Sequence, residues 1–151
     1  MKRFRLLFVV VLAVFLLYPF ESLQAPLWEV SVVDQANRPI GGVTVRESYQ
    51  HYSAQFSGGE TDLITDDQGR VIFPAKTLRA NIFKRSAVIA SSATGGVHAS
   101  FGPHAYVFAF GNGVEGSPVK NGYVEDWTGS PKVNRSVIVT HPLGLPASSQ
   151  N

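Results

Sequence analysis

Cysteine is absent from the 151 residues. This excludes disulfides, zinc–thiolate sites, iron–sulfur clusters, thiol catalysis and a cysteine-attached lipid. Charge is scarce as well: Asp, Glu, Lys and Arg make up 16% of the chain, against a usual ~25%. Together with 14 glycines and 9 prolines, this describes a turn-rich globular chain and not a disordered tract or a coiled coil. The length suits one ordinary domain. No internal repeat is present, and no Gly-x-Ser-x-Gly follows a strand-like run. Ser91-Ser-Ala-Thr-Gly-Gly96 has the composition of a flexible loop but lacks the lysine that a phosphate cradle requires.

What charge there is lies unevenly. The formal net charge is +2, and Lys2, Arg3 and Arg5 against Glu21 carry all of it, so the rest of the chain is neutral. Nucleic acid is therefore not an expected partner, because the basic footprint it needs is missing from the domain. The three basic residues precede an unbroken apolar run from Leu6 to Phe20, followed by Glu21-Ser-Leu-Gln-Ala25. This is the layout of a secretory signal, with the basic end retained in the cytoplasm and the remainder exported. Ala25 is a small residue suited to a cleavage site, and Pro26 is a poor residue to follow one. Residues 1–25 thus read as a signal peptide or as an N-terminal anchor holding the membrane through residues 6–20.

Beyond the leader the apolar period is two. Trp28–Val33, Val43–Glu47, Thr61–Thr65, Arg70–Phe73, Ala87–Ala93, Ala105–Phe110 and Ser136–Thr140 read as strands, separated by Gly, Pro, Asn and Asp. Ala75–Arg85 is ambiguous between a short helix and an irregular turn. Ala105–Phe110 is apolar on both faces, as a central strand is. The expected architecture is all-β, a Greek-key-type β-sandwich of about seven strands over residues 26–141, preceded by an N-terminal hydrophobic helix. Residues 142–151 form a polar tail expected to be loose. Asp66-Asp-Gln-Gly69 is expected to close a hairpin, with Gly69 free to take a positive φ. Val43, Val45, Val71, Phe73, Val107 and one of Tyr106 or Phe108 are expected to share one core.

Two segments resemble something known. Asp34, Pro39, Ile40, Gly42, Val43 and Val45, followed by Thr65, Asp66, Gly69, Val71 and Phe73, resemble the signature of the carboxypeptidase regulatory-like domain. That domain is a transthyretin-like (prealbumin-type) β-sandwich. The resemblance covers Val33 to Phe73 and leaves the C-terminal half unanchored. It implies an exported, non-catalytic accessory or binding module.

Candidate sites are few. His98 and His104 bracket Phe101-Gly-Pro103, a turn able to bring two imidazoles together. A metal site would still need a carboxylate such as Glu125 or Asp126 from a distant loop. The adjacent Asp66 and Asp67 have the oxygen donors calcium uses, and are also ordinary turn formers. The stretch Gly111–Lys132 carries five glycines, the Asn121-Gly122 hairpin signal, and Tyr123 and Trp127 around Glu125 and Asp126. Aromatics on such a connection suit stacking on a sugar or burial against a partner protein, and they also suit closing the open end of a sandwich. Asn134-Arg-Ser136 is a glycosylation sequon.

The functional expectation is an exported or membrane-tethered, non-enzymatic β-sandwich. It would serve as an interaction or accessory module for a protein or carbohydrate, with Tyr123 and Trp127 as partner-binding residues and no cofactor. The alternative is a small hydrolase or metal-dependent enzyme using His98 and His104.

Overall fold

A computed structural model describes residues 2–143. The elements in chain order are α1 (Lys2–Leu17), β1 (Phe20–Ala25), β2 (Leu27–Val33), β3 (Thr44–His51), β4 (Gly59–Ile64), β5 (Arg70–Phe73), β6 (Lys76–Ala80) and α2 (Ile82–Ala93). After a 3-10 turn at Gly96–His98 come β7 (Pro103–Gly111), β8 (Val114–Gly116), β9 (Val119–Lys120), β10 (Tyr123–Val124), β11 (Val133–Val139) and β12 (His141–Pro142). The chain is mostly β and forms several sheets, with a helix at its N-terminal end. Twelve strands occur among the described residues, not about seven. Three of the additional ones are only two residues long, below what periodicity can register. The expected loose tail lies outside the described residues from position 144 onward.

Two sheets share the core. One has the order β11-β2-β5, the other β12-β8-β7-β3-β4. β11 runs parallel to β2, from Val133 opposite Leu27 to Val139 opposite Val33. β5 joins the other side of β2 antiparallel. Trp28, Val30, Val32, Val43, Val45, Val71, Phe73, Val107 and Ile138 fill the space between the sheets, an arrangement consistent with a β-sandwich. Alternation along each strand sends these β-branched and aromatic side chains to one face.

The resemblance residues occupy turns and core. Asp34 Oδ1 accepts the backbone N–H groups of Ala36 and Arg38 at 2.9 and 2.8 Å. The Thr65 hydroxyl donates to the Ile40 carbonyl and accepts from the Val43 N–H, both at 3.0 Å. Asp66 Oδ1 accepts from the N–H groups of Gln68 and Arg70, so its carboxylate shapes the turn and is not set out as a calcium ligand. Gly69 has φ +69°, and a Cβ there would lie 2.5 Å from the Val32 carbonyl oxygen, which only glycine avoids. The turn does not close a hairpin. β4 pairs with β3 and β5 pairs with β2, so Asp66–Gly69 carries the chain from one sheet to the other.

Two stretches differ from expectation. Ala87–Ala93 belongs to α2, not to a strand. Asn81 caps this helix, its side chain accepting the Lys84 N–H at 2.9 Å, and alanine in the following turns favours the helix. Val88 is the one α2 residue that is buried among those described. The second difference is the end of the leader. Phe20–Ala25 forms β1, paired antiparallel with β6 from Phe20 opposite Ala80 to Ala25 opposite Lys76. Ala25 and Pro26 are both buried, so the expected boundary between residues 25 and 26 falls inside the folded unit. Among the described residues no helix is long and apolar enough to cross a membrane by itself.

Candidate functional site

β7 lies in the middle of the five-stranded sheet and has two contrasting faces. Ala105, Val107 and Ala109 point into the core and are buried. His104, Tyr106, Phe108 and Phe110 alternate with them on the other face. Neither Tyr106 nor Phe108 enters the core, contrary to the sequence expectation. Two tryptophans explain the small inner residues. Trp28 fills the shared core, and Trp127 lies directly against the strand, its backbone exchanging both hydrogen bonds with Ala105 at 2.9 and 2.8 Å.

The outer row is continuous. The Tyr106 and Phe108 rings lie 6.2 Å apart at 22°, and Phe108 and Phe110 lie 5.6 Å apart. Tyr106 is 43% exposed. Arg46 of β3 sits opposite Phe108 in the ladder and holds its guanidinium 5.3 Å from the Phe110 ring centre. Asp62 and Glu60 of β4 pair with that guanidinium at 2.7 and 3.0 Å. Its hydrogen bond keeps the Asp62 carboxyl below the usual range. An aromatic strip flanked by a fixed charge pair thus faces outward, where an antiparallel sheet ordinarily places polar side chains.

At one end the strip meets the glycine-rich connection. His104 Nδ1 lies 2.9 Å from Asp126 Oδ2. Asp126 lines a cleft of about 260 Å³ together with Lys120, Tyr123, Glu125, Trp127 and Asn134. Tyr123 stands on the β9–β10 hairpin, 79% exposed, beside Asn121 and Gly122, whose φ values of 56° and 81° make the expected turn. Trp127 is different. It is 2% exposed and its indole N–H donates to the Pro131 carbonyl at 2.6 Å. It is a packing residue, so the expectation that it meets a partner is corrected, and the reason is that its polar handle is satisfied internally.

Glu125 is also turned inward. Its carboxylate accepts from Ser136 Oγ at 2.5 Å and from the Asn134 side-chain amide at 3.1 Å. Ser136 Oγ in turn accepts the Trp28 indole N–H at 2.8 Å. The sequon asparagine is therefore buried and engaged. No pattern in the sequence ties Trp28 to Ser136 and Glu125, because their link is purely tertiary.

The two histidines go to different places. His98 lines a second cleft of about 330 Å³ with Gln50, Tyr52, Val88 and Ser92. Tyr52 packs edge-on to His104 with ring centres 5.3 Å apart. Among the described residues no three His, Asp or Glu side chains gather as a metal site would need.

One buried charge escaped the sequence altogether. Glu47 of β3 is fully buried and pairs with Lys76 of β6. The ammonium lies 4.8 Å from the Tyr49 ring centre and 5.7 Å from that of Phe73. Glu47 Oε1 has no hydrogen-bond partner. Burial pushes the Glu47 carboxyl up, and the Lys76 hydrogen bond opposes this.

No protein-family model matches the sequence, and no curated protein matches it. Among solved structures, the chain is similar to the 3-chlorocatechol 1,2-dioxygenase of Rhodococcus opacus 1CP, with 16% identity and a TM-score of 0.41. The match covers 82% of this chain and 64% of that one, so the chain spans less than two thirds of its neighbour's length. That neighbour is an enzyme, and the expectation of a non-enzymatic chain is withdrawn. A likeness this distant carries no argument about activity, substrate or metal here.

Proposed function

We propose that the chain is an exported interaction or accessory module, a Greek-key-type β-sandwich of the carboxypeptidase regulatory-like kind, that recognises a protein or carbohydrate partner. The observation that carries this reading is the outward row Tyr106–Phe108–Phe110 with Arg46 against it. Three consecutive outward positions of a central strand carry large aromatic side chains, Tyr106 exposed and Phe108 and Phe110 half-buried, where an antiparallel sheet ordinarily shows polar ones, which is the mark of a contact surface. His104 and Asp126 extend the row to the cleft beneath Tyr123, so the exposed candidate from the sequence lies at the rim of the same surface. The fold assignment is supported by Asp34, Thr65, Asp66 and Gly69 acting as turn formers and by Val43, Val45, Val71 and Phe73 lying in the core. Export is supported by the basic and apolar leader.

The test is a triple variant, Tyr106→Ser, Phe108→Ser and Phe110→Ser. Wild-type and variant chains are compared for capture of envelope proteins and on an array of immobilised glycans. A folded triple variant that loses what the wild type captures supports the reading; one that captures the same set at the same strength overturns it. Tyr123→Ala asks in the same assay whether the cleft rim takes part.

A further inference from the structure

Cleavage after Ala25 would leave a chain starting at Pro26, and the structure shows what would be lost. β1 supplies one of the two strands of its sheet with β6. Leu23 packs on the core and Ala25 lies within it. Gln24 donates to Gln55 at 2.5 Å. Arg85 of α2 donates to the Phe20 carbonyl and the Ser22 hydroxyl at 2.9 and 2.8 Å. A chain without these residues would leave the β6 ladder unpaired. The leader and the domain therefore share a structural strand.

Ahead of that strand α1 approaches α2, yet most of its large apolar side chains are exposed, Phe4, Phe8 and Val14 among them. Only Tyr18 and Pro19 separate it from β1. Across the joint the Phe20 ring meets those of Phe15 and Tyr18 at 5.5 and 5.1 Å. Whatever surrounds the outer end of α1 must also meet the corner of the domain beside Phe20. That corner is Ala80, which pairs with Phe20, and the first turn of α2, where Phe83 is 58% exposed and Lys84 is exposed beside it. Arg79 stands on the same strand end, 2.9 Å from Glu21.

We propose that α1 is retained as an uncleaved anchor and that the first turn of α2 rests on the same lipid surface. Phe83 enters the acyl boundary, and Lys84 and Arg79 face the lipid phosphates. The apolar part of α1, Leu6 to Leu17, rises about 18 Å, short of the ~30 Å hydrocarbon core. A short anchor draws its flanking aromatic and basic groups into the interface, and Tyr18, Phe20, Phe83 and Lys84 are those groups here. The proposal rests on the export reading, and the experiment separates the two.

The full chain with a C-terminal tag is expressed in a bacterial host, fractionated with alkaline carbonate, and its intact mass measured. Phe83→Trp and Gln35→Trp variants are then reconstituted in phosphatidylethanolamine–phosphatidylglycerol vesicles with brominated acyl chains. Gln35 serves as control because it lies in the turn beyond the far end of β2. Retention is expected to give the uncleaved mass in the carbonate-resistant fraction, with the tag digested by protease added to spheroplasts. Quenching over the wild-type background at position 83 is expected to exceed that at position 35 at least about twofold. A soluble exported chain starting at Pro26 overturns the anchor and leaves export standing. Uncleaved chain in the cytosol overturns export and the anchor with it. Equal or absent quenching at positions 83 and 35 overturns the lipid contact alone.

Discussion

The two tryptophans and the outward row of β7 are built from the same kind of side chain and are placed oppositely. Trp28 and Trp127 lie in the core with both indole N–H groups satisfied, by Ser136 and by the Pro131 carbonyl. Tyr106, Phe108 and Phe110 lie on the far side of the sheet, with Arg46 as their neighbour. Because the tryptophans occupy so much of the interior near β7, the strand can offer only Ala105, Val107 and Ala109 inward. Size and apolarity alone do not sort aromatics into core and surface. What sorts them here is which residues have a buried polar partner waiting and which strand face the packing leaves open.

The largest effect is expected at Trp127. Trp127→Ala is expected to cost about 3–5 kcal/mol, read as a lower urea midpoint and a melting temperature lower by several degrees. A loss no larger than that of Tyr106→Ser would erase the distinction between the two groups. Next in size is Lys76→Met, which strips the partner from the buried Glu47 carboxylate and is expected to cost about 3 kcal/mol near neutral pH. The sign of its pH dependence follows from burial. The folded carboxyl titrates above its unfolded value, so the native state holds the proton more tightly between the two. The corresponding stability is present below the unfolded value and is lost as pH rises through the folded one. Urea midpoints of Lys76→Met are expected to rise as the pH is lowered from about 7 to about 5.

A smaller effect is expected for Ser136→Ala, which leaves the Trp28 indole N–H and one Glu125 oxygen without their partner. The cost should be about 1–3 kcal/mol, whereas Ser48→Ala on the outer face should stay within about 0.5 kcal/mol. Tyr106→Ser, at the exposed member of the row, is expected to shift stability by no more than about 1 kcal/mol, measured by the same urea titration, while the capture assays change.

Much of the frame is legible in the amino-acid sequence. Period two locates β2, β3, β5 and β11 to within a few residues, because each buries one face, and β7 shows as a run apolar on both faces. Asp34, Thr65, Asp66 and Gly69 are legible as turn chemistry, since their roles are local. Tyr123 and the Asn121-Gly122 turn are legible for the same reason. The misplaced elements all depend on tertiary context. Ala87–Ala93 has apolar content but no partner strand, and a cap at Asn81 six residues upstream decides for helix. Phe20–Ala25 reads as the end of a leader, because nothing local announces that β6 waits for it. Which face of β7 is inward cannot be read from a strand apolar on both. The Glu47–Lys76 pair joins residues 29 apart through a contact between sheets, and no periodicity carries that.

The parallel pairing of β11 with β2 also bears on how the molecule is made. Glu29 and Arg135 stand side by side, 106 positions apart. A growing chain presents β2 with one edge vacant until β11 arrives, which at ~5–20 residues per second takes about 5–20 s of synthesis. During that interval Trp28, Val30 and Val32 have no completed core. Closing the three-stranded sheet is thus among the final acts of assembly, and it must wait until Val139 has been made.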